Sequence, residues 1–166
     1  MQPFVNSNKT RHQQGVAAVE FALVAMLFFT LLFAILEFGR LFYLQNAVQE
    51  VTRRAAREAT VRWVTAGEEV RNLALFEAAN LPAGPEITAE NIVIEYLNVD
   101  QDVIGSLPDS PLDNVKACLN AETNCIAYVR VSINDATYSP MIALFSAFSV
   151  PITASTVTIP AESLGY

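Results

Sequence analysis

Hydrophobic and polar positions follow three different rhythms along this chain. From Phe21 to Leu36 sixteen consecutive residues carry no charge and only Thr30 is polar; counted from Val16, the stretch is 21 residues with a single charge, Glu20. As a helix it covers about 31 Å, the thickness of a bilayer hydrocarbon core. The rhythm then changes: Leu41, Leu44, Val48, Val51 and Ala55 recur at three- and four-residue steps and mark a single apolar stripe. Glu50, Arg54, Glu58 and Arg62 follow one another at i,i+4 spacing and support an exposed helical face. No proline occurs between Val16 and Leu81, which predicts one helix from Val16 to about Val64, roughly 73 Å long. The stripe is read as a packing face for a head domain, with a partner-binding coiled coil as the alternative.

The third rhythm is alternation. Gly67 interrupts the first helix, and a second is predicted over Glu68–Asn80, with Val70, Leu73, Ala74, Phe76 and Glu77 near its buried side. Leu81-Pro82-Ala83-Gly84-Pro85 marks a turn. Asn91–Asn98 places Ile92, Ile94 and Tyr96 on one face of a strand, and Ala127, Val129, Val131 and Ile133 line one face of another. A third strand, Ile152–Ile159, is β-branched at nearly every position. Ser110-Pro111-Leu112-Asp113 reads as an N-cap, a proline at N1 and an acid at N3, opening a helix to about Asn120. Ser139-Pro140 repeats that start before Met141–Phe145, a segment apolar almost all round and read as core, with a subunit contact or the bilayer surface as the alternative. The fold class is α+β: a long N-terminal helix, half in lipid, packed on a small antiparallel-sheet head. The expected divisions are a cytoplasmic leader over 1–15, the transmembrane half of the helix over 16–36, its exported half over 37–64 and the head over 65–166.

Lys9 and Arg11 precede the apolar stretch and no acid comes before Glu20. By the positive-inside rule the N-terminus stays in the cytoplasm and the chain from about Glu37 onward is exported. A secretory signal peptide is the rival, but its apolar core is shorter and ends in a small-x-small site that Leu36-Glu37-Phe38-Gly39-Arg40 lacks. Glu20 is costly inside a bilayer, by about 2.5–3.5 kcal/mol at mid-helix and less near an interface. Either it snorkels to the nearby cytoplasmic edge, or it neutralises a new α-amine created by cleavage between Gly15 and Val16, on its own chain or on a neighbour's.

Gly15-Val-Ala-Ala-Val-Glu20-Phe21-Ala-Leu-Val24, then Glu37-Phe-Gly-Arg-Leu41, Gln45-Asn-Ala-Val48 and Arg53-Arg-Ala-Ala-Arg57, resemble the TadE/TadF-like minor pilins, or pseudopilins, of tight-adherence (Flp-type) pili. The resemblance covers residues 15–60. It implies cleavage after Gly15 by a membrane aspartyl prepilin peptidase, with Val16, Glu20 and Phe21 opening the mature helix and Glu20 needed for processing or assembly. It further implies, as partners, that peptidase, other major and minor pilins and the assembly platform of a bacterial inner membrane, with the protein resident in that membrane or incorporated in the pilus. Adhesion fits the family, although no residue displays a ligand. The C-terminal pattern, a cysteine followed by Tyr128-Val-Arg-Val131 and a proline-headed apolar stretch, is similar to longer members.

Composition narrows the function. The formal charge is −7, and loss of Lys9 and Arg11 with the leader takes it to −9, a poor match for nucleic acid or an anionic membrane surface, both of which demand basic patches. The mean hydropathy of +0.32 is raised by the apolar stretch. Cys118 and Cys125, the two cysteines, most simply form one structural disulfide in an exported domain. His12 is the single histidine and falls in the leader, which removes the commonest acyl-transfer constellations. Asp100 and Asp102 read as a solvated loop, with a weak calcium site as the alternative, since the later residues of an EF-hand loop are missing. No enzyme activity, cofactor, metal or small-molecule substrate is expected. The two function classes are an assembly protein of a pilus and an unprocessed single-pass envelope anchor or sensor.

Overall fold

The computed structural model describes residues 9–162, 164 and 165, with side chains from residue 15 onward; the first eight residues of the expected leader lie outside the described residues. The first element, α1 (Lys9–Val61), is a helix of 53 residues, about 80 Å long. It starts upstream of Val16, so the Gly15–Val16 bond lies inside a helix. Thr30, polar within the apolar stretch, donates its hydroxyl to the Met26 carbonyl at 2.8 Å, satisfying itself within the helix. The helix stops three residues before the expected Val64 because the chain's C-terminal turn closes over its end. The Leu164 amide donates to the Thr60 carbonyl at 2.7 Å. Gly165, at φ 88°, sits so close that a Cβ would come within 3.1 Å of the Trp63 amide nitrogen.

Helix α2 (Gly67–Ala74) ends well before the expected Asn80. Phe76 and Glu77 both take left-handed conformations, φ 59° and 60°, and two such residues in succession break the helical phase. Val70 and Ala74 are buried as expected. Phe76, expected inside, is instead exposed, with the Arg54 guanidinium 4.6 Å above its ring centroid. Arg62 follows the i,i+4 expectation, pairing with Glu58, and also reaches Glu69 at 3.2 Å.

The turn at 81–85 is present but joins two short strands, β1 (Asn80–Leu81) and β2 (Gly84–Thr88), that alternation did not reveal. Gly84 presses its backbone on α1: a Cβ there would run into the side chain of Leu44. Strand β3 (Ile92–Leu97) leads by a loop to α3 (Pro111–Leu119), then to β4 (Tyr128–Ile133), β5 (Thr137–Tyr138), β6 (Val150–Pro151) and β7 (Ser155–Pro160). The main sheet is antiparallel in the order β3-β4-β7, with Ile94 opposite Val131 and Val131 opposite Val157. The predicted alternation shows in β4, where Val129, Val131 and Ile133 are buried and Tyr128 and Arg130 half-buried, but Ser132 on the other face is buried as well. Strand β7 begins three residues after the expected Ile152. Val150 and Pro151 pair with β5 instead, and the Ile152 amide donates to the Ala136 carbonyl at 2.9 Å, prolonging that pairing.

Helix α3 opens as its sequence dictates: Ser110 caps it, accepting from the Asp113 amide at 3.2 Å, with Pro111 first in the helix. Cys118, in the last turn of α3, is joined to Cys125 beyond the end of the helix as a disulfide. The second Ser-Pro start behaves differently. Ser139-Pro140 opens no α-helix; only a single 3-10 turn forms, Ala143–Phe145. The expectation that this segment is core is also overturned, since Met141, Leu144 and Phe148 are 71%, 58% and 67% exposed. In α3 the Ser110 carbonyl accepts the first helical bond, from the Asn114 amide. At 139–142 the equivalent groups are taken by α1: Arg40 donates to the Ser139 carbonyl, and the Ile142 amide donates to Glu37.

The core forms where α1 crosses the sheet. Leu44, Val48, Val51, Ala55 and Ala59 pack in one cluster with Ile92, Val129, Val131 and Ile133. The stripe read from the sequence therefore faces the head of its own chain, and a partner coiled coil on that face is excluded. The fold is α+β, one long helix with small antiparallel sheets laid on its C-terminal half.

Candidate functional site

The residues singled out in the sequence fall at two levels of α1. Gly15, Val16, Glu20 and Phe21 lie near its start, all exposed, Val16 at 59% and Phe21 at 76%. A Cβ on Gly15 would meet nothing within 4 Å, so its own fold makes no steric demand for glycine there. Glu20 follows Val16 by four residues, which places both on one side of the helix. Some 17 residues later, about 25 Å along the axis, the Glu37-Phe-Gly-Arg motif closes the apolar stretch.

There the head is clasped to the helix. Glu37 and Arg40, one helical turn apart, point to the same side and enter the junction between α1, β2 and β5. Arg40 forks onto Glu86 with Nη2 at 2.8 Å and Nη1 at 3.2 Å, the bidentate geometry that favours arginine over lysine. It also donates to the Ser139 carbonyl, and its guanidinium lies 4.6 Å over the Tyr138 ring. Its Nε is 3.7 Å from Glu37 Oε2, an ion pair without a hydrogen bond. Glu37 accepts from the Tyr138 hydroxyl through Oε2 and from the Ile142 amide at 2.7 Å through Oε1. Glu86 completes the circuit by accepting from the Ser139 amide at 3.3 Å. Close by, the Tyr43 hydroxyl donates to the Pro82 carbonyl at 2.8 Å. The side chains of Glu37, Arg40 and Glu86 keep only 10–13% of their surface.

The electrostatics follow from this enclosure. Burial pushes the Glu37 carboxyl up, but the Tyr138 hydroxyl, the Ile142 amide and Arg40 together hold it below the ordinary value of 4.5. Burial likewise opposes ionisation of Glu86, but the hydrogen bonds from Arg40, the backbone amides of Glu86 and Ser139 and the Arg40 charge together outweigh it and hold the carboxyl low. The Arg40 guanidinium is raised, first by its hydrogen bond to Glu86. The Tyr138 hydroxyl is raised by burial and then by its bond to Glu37. The four groups hold one another in fixed protonation states, which suits a latch. Beside it an open apolar cleft of about 270 Å³ is lined by Ala34, Phe38 and Leu41 of α1 and by Pro140, Phe145 and Phe148.

Sequence reasoning quoted Glu37 and Arg40 only as part of a resemblance and missed Glu86 and Tyr138. A signal existed for the first pair: opposite charges three residues apart, directly after an apolar stretch. None existed for the second, since their partners on α1 lie 46 and 101 residues away. Asp100 and Asp102 sit in an exposed turn where the Asp102 amide donates to the Asn98 side chain at 2.9 Å. Among the described residues no group of three or more His, Cys, Asp or Glu is placed to hold a metal ion.

A single apolar helix running on into the core of a small α+β head defines a class, a head protein carried on a candidate membrane anchor. Residues 15–57 match the family model described as TadE-like protein. The matched segment, similar to that family, holds Gly15, Glu20 and both α1 residues of the clasp. No curated protein and no solved structure matches the chain.

Proposed function

We propose that this protein is a minor pilin or pseudopilin of a tight-adherence pilus, cleaved between Gly15 and Val16 by a prepilin peptidase and acting in assembly or initiation. The observation that carries this reading is the register of the family match, which begins at Gly15 and includes Glu20 five residues later. In this reading the leader is cytoplasmic, the head is exported, and other pilins and the assembly platform of the inner membrane are the partners. Since the Gly15–Val16 bond lies within α1, the peptidase must unwind the helix locally, and glycine lowers the cost of that step. Cleavage leaves a positive α-amine at Val16. Glu20 is the acid within reach once the helix is surrounded by apolar neighbours, where an unpaired charge costs several kcal/mol.

N-terminal mass spectrometry of the membrane-extracted protein, from cells with and without the peptidase, tests the reading. A mature chain starting at Val16 only when the peptidase is present supports it. An intact N-terminus in both would leave an unprocessed envelope anchor or sensor as the better reading. Glu20→Ala and Glu20→Gln are expected to insert and fold normally but to reduce surface pili, counted while processed protein is followed by immunoblot. Normal piliation in both variants would mean that Glu20 merely snorkels to water.

A further inference from the structure

The β5–β6 hairpin carries an eleven-residue excursion, 139–149, between the paired residues Tyr138 and Val150. Its composition is unusual for an exposed loop: from Ala136 to Ala161 no residue is charged, and Met141, Leu144 and Phe148 stand 71%, 58% and 67% exposed. We propose that this loop is a second membrane contact, inserting its apolar side chains into the leaflet from which α1 emerges.

The inference rests on the reading of α1 as a membrane anchor, and two observations set the loop's depth. The Ile142 amide is bonded to Glu37 at 2.7 Å, and Glu37 directly follows the apolar stretch that matches the hydrocarbon thickness. Phe145 and Phe148 share a cleft with Ala34, which lies inside that stretch. The loop is thus held level with the hydrocarbon boundary. Phe38 and Phe42, 62% exposed each, and Tyr43, 43% exposed, continue an aromatic collar around the same level of α1, as membrane interfaces favour. Charge argues for lipid tails over anionic headgroups as the attraction: the loop has no cation and the chain is at −7. The contact is therefore indifferent to salt and to anionic lipid, unlike a basic amphipathic helix. The clasp gives it a purpose, because Arg40 and Glu37 grip the loop at Ser139 and Ile142. Helix and loop together fix the tilt and rotation of the head on the membrane, which one helix alone leaves free.

The test uses the full chain in phosphatidylcholine vesicles with ordinary or brominated acyl chains, reading tryptophan emission. The native Trp63, just beyond the far end of α1, gives the baseline. Leu27→Trp, in the apolar stretch, reports insertion of the anchor; Leu144→Trp and Phe148→Trp report the loop. The expected result is that both loop variants lose most of the emission added by the new indole in brominated vesicles, with a shift to shorter wavelength that salt does not reverse. Quenching at Leu27→Trp without quenching at either loop position overturns the proposal and leaves the anchor reading standing. No quenching at any of the three overturns both. Concentration-dependent cross-linking of Leu144→Cys between copies, with the loop indoles unquenched, overturns it in favour of a contact with a second copy. Unchanged melting of the head in both loop variants shows that the readout comes from a folded protein.

Discussion

Between Val16 and Leu36 most of the large side chains of α1 stand exposed, Leu23 at 63%, Met26 at 68% and Ile35 at 70%, whereas Leu44, Val48, Val51 and Ala55 keep at most 1%. Both halves belong to one unbroken helix. What separates them is how apolar positions are distributed around the axis. An all-round apolar surface needs an apolar solvent on all sides, and a bilayer supplies one. A stripe needs a single covering face, and the β3-β4-β7 sheet supplies that. Glu37 and Arg40 stand where the surroundings change, and the head is latched at that level. Polar residues at the junction of two environments here fasten one to the other.

The two halves of α1 are joined to the head most critically at Arg40. Arg40→Ala would leave Glu37 and Glu86 enclosed without their cation, at a cost of about 3–5 kcal/mol. Denaturation of the full chain in detergent, followed by near-ultraviolet dichroism, should show the head melting earlier while total helix content at low denaturant stays unchanged. A loss under 1 kcal/mol would mean that the latch is ornamental. Next comes a matched pair of leucines. Leu44→Ala is expected to cost about 2–5 kcal/mol in the same assay, whereas Leu23→Ala should stay within about 0.5 kcal/mol. Equal losses would erase the distinction between the two halves.

Cys118→Ser comes third, opening a short loop between α3 and β4 for a loss of about 2–3 kcal/mol. Faster proteolysis of the head would accompany it, with the proposed cleavage after Gly15 unaltered. Two thiols titrated in natively purified protein would contradict it.

The smallest effect is that of pH. The fold lowers Glu37 and Glu86, so their contribution is complete above 4.5 and fades as pH falls through their folded-state values. Tyr138 is raised, so its contribution is complete below 10 and fades as pH rises beyond that. These groups face one another across α1, β2 and β5, with Arg40 charged throughout. Head stability in the wild type should decline at both extremes, and Glu37→Gln should flatten the acid side. An acid limb unaltered in Glu37→Gln would place that sensitivity elsewhere.

Much of this architecture was legible in the sequence because its causes are local. The length of the apolar stretch, the stripe from Leu44 to Ala55 and the alternation in β4 each follow from a period that matches one element. Ser110-Pro111 and Asp113 predicted α3 because a cap acts through bonds to neighbours three residues away. The two-residue strands were invisible, since two residues carry no period. Phe76 was misplaced because the two left-handed residues at 76 and 77 have no glycine to announce them.

The sequence by itself determined that one helix bears both a bilayer-length apolar surface and a packing stripe, and that the head is α+β, since short-range periodicity dictates which surfaces must be covered. Only the tertiary structure decided that Ser139-Pro140 fails to start the helix that Ser110-Pro111 starts. The same local signal had both outcomes, because Arg40 and Glu37, about a hundred residues upstream, take the carbonyl and amide that a first helical turn needs. Backbone groups near a helix start bind whichever partner is closest in space, and sequence distance does not reveal that partner.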